Sequence, residues 1–334
     1  MEVQAKTNSF KHLNFMCSDY SRLSTKIGLL SFDNNSRNIP FDIFILFYEY
    51  LQLISQILIF NPYIEKSETL GDQALFSGII YIARRLNPGY WIEFEGEKHY
   101  AMIVLIALTC IMLLRYLVFL YIVLVAMFHV RKIDPLITLW KWIFKIQGRI
   151  LYSLFSCFWV NAILAVSKGE FDHLGIGNTG VVIWSAFMII SEFVFSFFLM
   201  ARFCYVLPTR SLLAAKDNKV EFIVLIQKLA IQILQISLYS ANLKASSWIF
   251  TLVNLVLCLA RDFQYFTTLP LYNVLALKFQ GTLLVITSSL CISSFLHVIT
   301  RAAGSTDPEV EFIVVVWVIL SILAIIISLE LLDR

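Results

Sequence analysis

Long apolar stretches alternate with short polar ones along the chain after residue 40. About twenty consecutive apolar residues are enough to cross the hydrocarbon core of a bilayer as a helix. The breaks between the stretches carry residues that disfavour a continuing helix, such as Asn61-Pro62 and Asp134-Pro135. The pattern predicts eight spans, at residues 41–60, 100–128, 143–166, 180–203, 220–240, 246–266, 279–299 and 310–331.

The first span is the one that could change this count. Glu49, Gln52 and Gln56 interrupt it, so seven spans would remain if this segment lay in the membrane interface. We expect an all-α polytopic transmembrane helix bundle of about eight spans. Its parts are a cytoplasmic N-terminal tail (1–40), a transmembrane helical domain (41–331) and a short C-terminal end (332–334).

Composition supports a membrane protein. Of the 334 residues, 59% are hydrophobic and only 15% are charged, whereas soluble domains are about 45–50% apolar and about 25% charged. The chain is therefore expected to be an integral multi-pass protein of the plasma membrane or an internal membrane. Its main partner is the lipid bilayer, and we expect no nucleic-acid partner.

The distribution of Lys and Arg predicts the orientation. Seventeen of these residues fall in the N-terminal tail and in the segments on the same side of the membrane, against seven on the other side. Cytoplasmic loops carry an excess of Lys and Arg. Both termini are therefore expected in the cytoplasm.

Arg115 lies about halfway along an apolar run that extends from Ala101 to Val130. Its distance from either end of that helix is roughly 20 Å, at about 1.5 Å per residue. A central arginine costs about 2.5–3.5 kcal/mol on insertion scales, so it should face protein or a water-filled cavity. Glu192 and Glu49 are the expected partners.

A second set of polar residues follows one face of the fifth span. Lys228 shares this face with Glu221, Gln232 and Gln235, and a polar stripe in a membrane helix should point at protein or water. Two interpretations are open. These residues and Arg115 either form an interior network that determines helix packing, or they line a permeation path or ligand-sensing cavity.

Lys141, Lys145 and Arg149 recur every fourth residue at the predicted cytoplasmic start of the third span. This spacing predicts a lipid-facing basic stripe. The stripe would either set the topology of the span or bind anionic lipids.

The sequence contains no recognisable set of catalytic residues. The five histidines are scattered without metal-binding spacing, and no Ser/His/Asp or Cys/His set stands out. We expect no enzymatic activity, no metal and no cofactor. None of the six cysteines falls in a predicted outside loop, so we also expect no disulfides.

Several stretches resemble the membrane region of the tiny macrocysts protein B family of protist multi-pass proteins. The similar stretches are residues 47–64, 114–128, 201–234 and 263–273. Members typically open with E-[FY]-[LI]-Q-L-L, an arginine-containing loop before a helix with a mid-span lysine, and a P-x-Y-N segment. The matching residues here are Glu49, Tyr50, Leu51, Gln52, Leu53, Arg210, Lys228, Pro270, Tyr272 and Asn273, with Ile54 replacing the last leucine of the first motif.

The resemblance implies a signalling role but assigns no catalytic residues. Family members usually continue into long cytosolic parts with PAS-type sensor domains, whereas this chain stops at Arg334. We therefore expect a membrane-only relative, or a chain whose sensory part is missing. Two functions remain open. One is a sensor or receptor-type membrane module that acts on a cytosolic signalling partner or as a homo-oligomer. The other is an ion channel or small-solute carrier.

Overall fold

The computed structural model describes residues 39–59, 98–128, 132–167, 178–203, 218–238, 243–271, 273–302 and 310–333, with a few positions at 23–30 and 81–86. Most of the predicted tail, 1–40, lies outside the described residues. The described residues form helices α1 (Ile39–Ile59), α2 (Lys98–Phe128), α3 (Asp134–Ile146), a π-helical turn (Gln147–Leu151), α4 (Tyr152–Ser167), α5 (Asn178–Phe203), α6 (Lys219–Leu238), α7 (Leu243–Thr268), α8 (Val274–Ala302) and α9 (Val310–Asp333).

The predicted all-α membrane bundle is confirmed. Within the described residues, seven helical stretches are long and apolar enough to cross a membrane. α1 is one of the seven by length and composition, and its polar residues Glu49, Gln52 and Gln56 are buried inside the bundle. The predicted eighth span coincides with α9, whose described apolar stretch, Val315–Glu330, is shorter than the others.

The third span is longer than its apolar pattern predicted. α3, the π turn and α4 together form one stretch from Asp134 to Ser167. It begins at Asp134, with Pro135 in its first turn. Proline is favoured there because backbone N–H groups of the first turn have no acceptor within the helix, so the N–H that proline lacks is not missed. Polar residues on α3 therefore belong to the span rather than to a preceding loop.

The helices pack in two groups. α2, α3, α4 and α5 share an aromatic-rich core that includes Trp140 and Trp159. α1, α6, α7 and α8 share a second core around Tyr50 and Leu290, and α9 packs on α8. The two groups meet where the π turn contacts α1 and where α6 packs against α4 and α5.

Large apolar side chains are exposed along the outside of the bundle. Leu117 on α2, Ile190 on α5 and Ile326 on α9 are about 60% exposed, at 60%, 61% and 59%. Such a surface is unfavourable in water and is the surface that lipid chains cover in a bilayer. The bundle is therefore built for contact with lipid.

The corner between α7 and α8 shows why the chain turns there. Leu269 has a positive φ of 44° and ends α7, and Pro270 follows it. The Asn273 side-chain oxygen then accepts hydrogen bonds from the backbone N–H groups of Leu275 and Ala276, at 2.9 and 3.2 Å. Asn273 thus caps the N-terminus of α8, which gives a structural role to the asparagine of the P-x-Y-N segment.

Candidate functional site

Arg115 faces protein and pairs with Glu192, as predicted. Its Nη2 forms the ion pair with Glu192 Oε1, and its Nη1 donates a hydrogen bond to Gln147 Oε1 at 2.7 Å. The guanidinium also lies over the Phe155 ring, 4.1 Å from its centroid. Because Arg115 and Glu192 come from α2 and α5, the pair holds two lipid-exposed helices together within the first group.

Gln147 completes this cluster, which we call the α2–α5 network (Arg115, Gln147, Glu192). Its Nε2 donates to Glu192 Oε2 at 2.9 Å and is 3.3 Å from Ser196 Oγ. Both oxygens of the carboxylate therefore have donors. Satisfying both is what makes a buried carboxylate tolerable in a low-dielectric interior.

A second cluster, the α1–α6 network, contains Glu49, Arg149, Glu221, Lys228 and Gln280. Arg149 donates to Glu49 Oε2 at 2.9 Å and to Glu221 Oε1 at 2.8 Å. Lys228 Nζ donates to Glu49 Oε1 at 3.0 Å and to the Arg149 carbonyl at 2.7 Å. Gln280 Nε2 on α8 donates to Glu221 at 2.8 Å. Two cations and two carboxylates thus balance each other inside the membrane region.

The π turn joins the two networks. Gln147 and Arg149 are only two residues apart, yet one belongs to the α2–α5 network and the other to the α1–α6 network. Gly148 between them packs so close to the Met200 side chain of α5 that a Cβ would overlap it. A π-helical turn puts all three neighbouring residues in the interior, whereas a regular α-helical turn would point them in more divergent directions.

The predicted lipid-facing stripe of Lys141, Lys145 and Arg149 is wrong for Arg149. Arg149 is buried and bound to carboxylates of α1 and α6. The π turn is the reason, because it ends the α-helical register on which the every-fourth-residue prediction relied. Lys145 is partly exposed and pairs with Asp42 of α1, and its ammonium lies 5.2 Å from the centroid of the Phe41 ring. Lys141 is partly exposed.

The two predicted glutamines of α6 do not contact the charged groups. Gln232 is buried and binds α4, accepting from the Tyr152 hydroxyl at 3.1 Å and donating to Ser156 Oγ at 2.6 Å. Gln235 is half-buried, and its Oε1 accepts no hydrogen bond from the described residues. Only Lys228 and Glu221 of this stripe enter the α1–α6 network.

Arg261 is a fourth buried cation in the described part of the chain, besides Arg115, Arg149 and Lys228. It lies within the predicted sixth span, 246–266, although the positive-inside count included it among the seventeen cytoplasmic residues. α7 extends past it to Thr268 and buries it completely. Its guanidinium donates to Gln227 Oε1 at 3.1 Å, the Leu284 carbonyl at 3.0 Å and Ser288 Oγ at 3.0 Å. The absence of a helix breaker between Arg261 and Pro270 agrees with this position inside the span.

The charged groups of both networks link neighbouring helices. Each carboxylate of the two networks contacts a cation, and none lies beside a histidine or a serine hydroxyl in a nucleophile–base pair among the bonds of the described residues. In the same part of the chain, no group of three or more His, Cys, Asp or Glu could hold a metal ion.

Comparisons with protein-family models, curated proteins and solved structures found no match.

Proposed function

We propose that this chain is a sensor or receptor-type membrane module without a catalytic domain of its own, which transmits a conformational change between its two helix groups. The observation that carries the proposal is the π turn, which supplies Gln147 to one buried network and Arg149 to the other. A movement of this turn therefore alters both networks at once.

The physics of buried ion pairs supports such a role. Separating a buried charge from its partner leaves it unpaired, at a cost of about 3–5 kcal/mol. A bundle held by several such pairs has a few discrete arrangements rather than a continuum, and switching between discrete packings is how membrane and soluble sensors transmit signals. π turns are frequent at functional sites.

The resemblance to the tiny macrocysts protein B family points in the same direction. Glu49 and Lys228, which match its motifs, are bonded to each other in the α1–α6 network. We infer a cytosolic signalling partner or a second copy of the chain as the recipient of the movement.

Contact with anionic lipids at the cytoplasmic face would involve Lys141 and Lys145 alone, because Arg149 is buried.

The proposal is tested by measuring whether the network sets the distance between helix ends. Spin-labelled amino acids are incorporated at Ile133 and Lys219, which are both exposed and lie beside α3 and at the start of α6. The distance distribution is recorded by pulsed electron resonance in nanodiscs. Lys228→Met is expected to shift or broaden it, because Glu49 loses one of its two cations. Gln235→Met, on the same helix, is the matched control and should leave it unchanged. An unaltered distribution in Lys228→Met contradicts the proposal.

A channel or carrier is the second candidate, and one observation favours it. Three buried polar atoms beside the α1–α6 network accept or donate no hydrogen bond within the described residues: the Tyr50 hydroxyl, Glu221 Oε2 and Gln280 Oε1. Such atoms are available to water or to an ion. π-helical turns are also frequent at functional sites, and the third span contains such a turn at Gln147–Leu151.

Ion flux separates the two candidates. The purified chain is reconstituted in liposomes, and the flux of K⁺, Na⁺, H⁺ and Cl⁻ is compared with that of empty liposomes. The sensor proposal expects no flux above the empty control. Flux that is lost in Arg149→Gln and kept in Gln235→Met would favour the channel or carrier instead.

We also infer that the chain catalyses no reaction. The charged groups that could supply acid–base chemistry, Glu192 and Lys228, are both engaged in ion pairs. Hydrolysis or transfer of a lipid by the purified protein, abolished by Glu192→Gln, would overturn this inference.

A further inference from the structure

Two thiols face each other in the core of the second helix group. Cys258 of α7 and Cys291 of α8 lie with their Sγ atoms 3.2 Å apart, close enough for one thiol to donate a hydrogen bond to the other. Both side chains are buried, at 0% and 1% exposure, among the apolar residues of the shared core. They belong to neither charge network.

A chain of hydrogen bonds connects this thiol pair to a buried cation. Arg261 donates to the side-chain oxygen of Gln227 at 3.1 Å, and the amide nitrogen of Gln227 donates to Cys258 Sγ at 3.2 Å. Asp262 lies 3.4 Å from the same guanidinium and partly offsets its charge. Donors and a nearby arginine stabilise the thiolate, which is the nucleophilic form of cysteine. Cys258 receives the hydrogen bond from Gln227 directly, whereas Cys291 is hydrogen-bonded to Cys258.

Cys157 shows what an ordinary buried cysteine of this bundle is like. It accepts a hydrogen bond from Gln56 Nε2 at 3.0 Å. The amide nitrogen of Gln232 lies 4.0 Å from the same sulfur. Cys258 and Cys291, in contrast, combine two adjacent thiols with a relayed positive charge.

We propose that Cys258 and Cys291 are a redox modification site, at which a peroxide converts the two thiols reversibly into a disulfide between α7 and α8. In the first step the Cys258 thiolate attacks a peroxide oxygen. The O–O bond breaks, the S–O bond of a sulfenic acid forms, and the leaving hydroxide takes a proton to become water. In the second step the Cys291 sulfur attacks Cys258, the S–S bond forms, and the sulfenic oxygen leaves with the Cys291 proton as water. One hydrogen peroxide thus oxidises two thiols and yields two waters.

The geometry requires only a small movement. A disulfide has an S–S distance of about 2.05 Å, so the sulfurs at 3.2 Å must approach each other by about 1.2 Å. α7 and α8 already pack closely and are joined by the bonds from Arg261 to Leu284 and Ser288. The disulfide would lock these helices together, and a thiol reductant would release them.

The test uses the full chain in membrane vesicles. The vesicles are exposed to hydrogen peroxide, quenched with catalase, denatured and alkylated with a maleimide, and the cysteine peptides are analysed by mass spectrometry. We expect the Cys258 and Cys291 peptides to be joined to each other and separated by dithiothreitol, while Cys157 stays alkylatable. If Cys258 and Cys291 remain alkylatable to the same extent as Cys157, the proposal fails.

Single variants test the order of the two steps. In Cys291→Ser, peroxide is expected to leave a sulfenic acid on Cys258 that dimedone traps. In Cys258→Ser, Cys291 should stay unreacted with dimedone. Dimedone labelling of Cys291 in Cys258→Ser, without labelling of Cys258 in Cys291→Ser, would overturn the assignment of Cys258. In the chain with both cysteines, Gln227→Leu is expected to slow disulfide formation severalfold because it breaks the relay from Arg261.

Discussion

Arg115 and Arg149 are both buried, and each is held by carboxylates from other helices. The pairing of Arg115 with Glu192 was predictable, because few charges occur within the spans and an unpaired one is costly. The pairing of Arg149 was not, because its spacing from Lys141 and Lys145 indicated a lipid-facing position. The difference arises from local backbone geometry that residue types alone do not reveal.

Arg115→Leu is expected to destabilise the folded protein by about 3–5 kcal/mol, because it leaves the Glu192 carboxylate buried beside Gln147 without its cation. Thermal unfolding in detergent, followed by tryptophan fluorescence, measures the effect. Glu192→Leu should cost a similar amount. The double variant should lose less than the sum of the two, since it leaves no charge behind. A melting temperature of Arg115→Leu equal to that of the parent would show that the pair contributes nothing.

Asn273→Ala is expected to lower the free energy of unfolding by about 1 kcal/mol, the usual cost of losing an N-cap. The reason is that the backbone N–H groups of Leu275 and Ala276 lose their acceptor. Denaturant titration in detergent micelles measures the change. Thr267→Ala is the matched control, because this exposed hydroxyl bonds only to carbonyls of its own helix. Equal effects of the two substitutions would contradict a capping role for Asn273.

At the scale of elements, the π turn decides how the third span is used. One extra residue in a turn rotates everything after it by about 100° relative to a regular α-helix. Within the turn itself, Arg149 points inward, toward Glu49 of α1 and Glu221 of α6. Gly148, which has no side chain, lies against Met200 of α5. The turn therefore also brings α3 and α4 close to α5.

Gly148→Val is expected to destabilise the bundle by about 1–3 kcal/mol, the usual cost of overpacking a core. The added side chain would overlap Met200, which must move from its buried position. Thermal unfolding in detergent checks this. Met200→Ala should recover part of the loss in the double variant, although it weakens the core when introduced alone. If Met200→Ala recovers nothing, the contact between these two residues is not the source of the destabilisation.

At the scale of the whole molecule, two helix groups meet along the α1–α6 network. The excess of Lys and Arg on the predicted cytoplasmic side remains when the residues buried inside spans are removed from the count. Arg149 and Arg261 leave the count because they lie buried inside spans, and fifteen Lys and Arg on the predicted cytoplasmic side still face seven on the other. The positive-inside rule therefore still predicts both termini in the cytoplasm.

Cysteine accessibility in intact cells tests this orientation. A cysteine placed at Ser67 is expected to react with a membrane-impermeant maleimide added from outside, whereas one placed at Ser211 is expected to react only after the membrane is permeabilised. The parent chain, with its native cysteines, gives the background. Labelling of Ser211→Cys from outside, with Ser67→Cys protected, would require the opposite orientation.

The sequence alone determined the class of the molecule, the approximate positions of most of its spans and the inward direction of Arg115. These properties follow from hydrophobicity and from the cost of charge in lipid, which act on each stretch of chain separately. Only the tertiary structure decided that Arg149 joins Glu49 to Glu221, that Arg261 binds Gln227 and α8, and that Cys258 meets Cys291. These contacts depend on which helices are neighbours and on how a π turn rotates one of them, and a regular helical period contains neither piece of information.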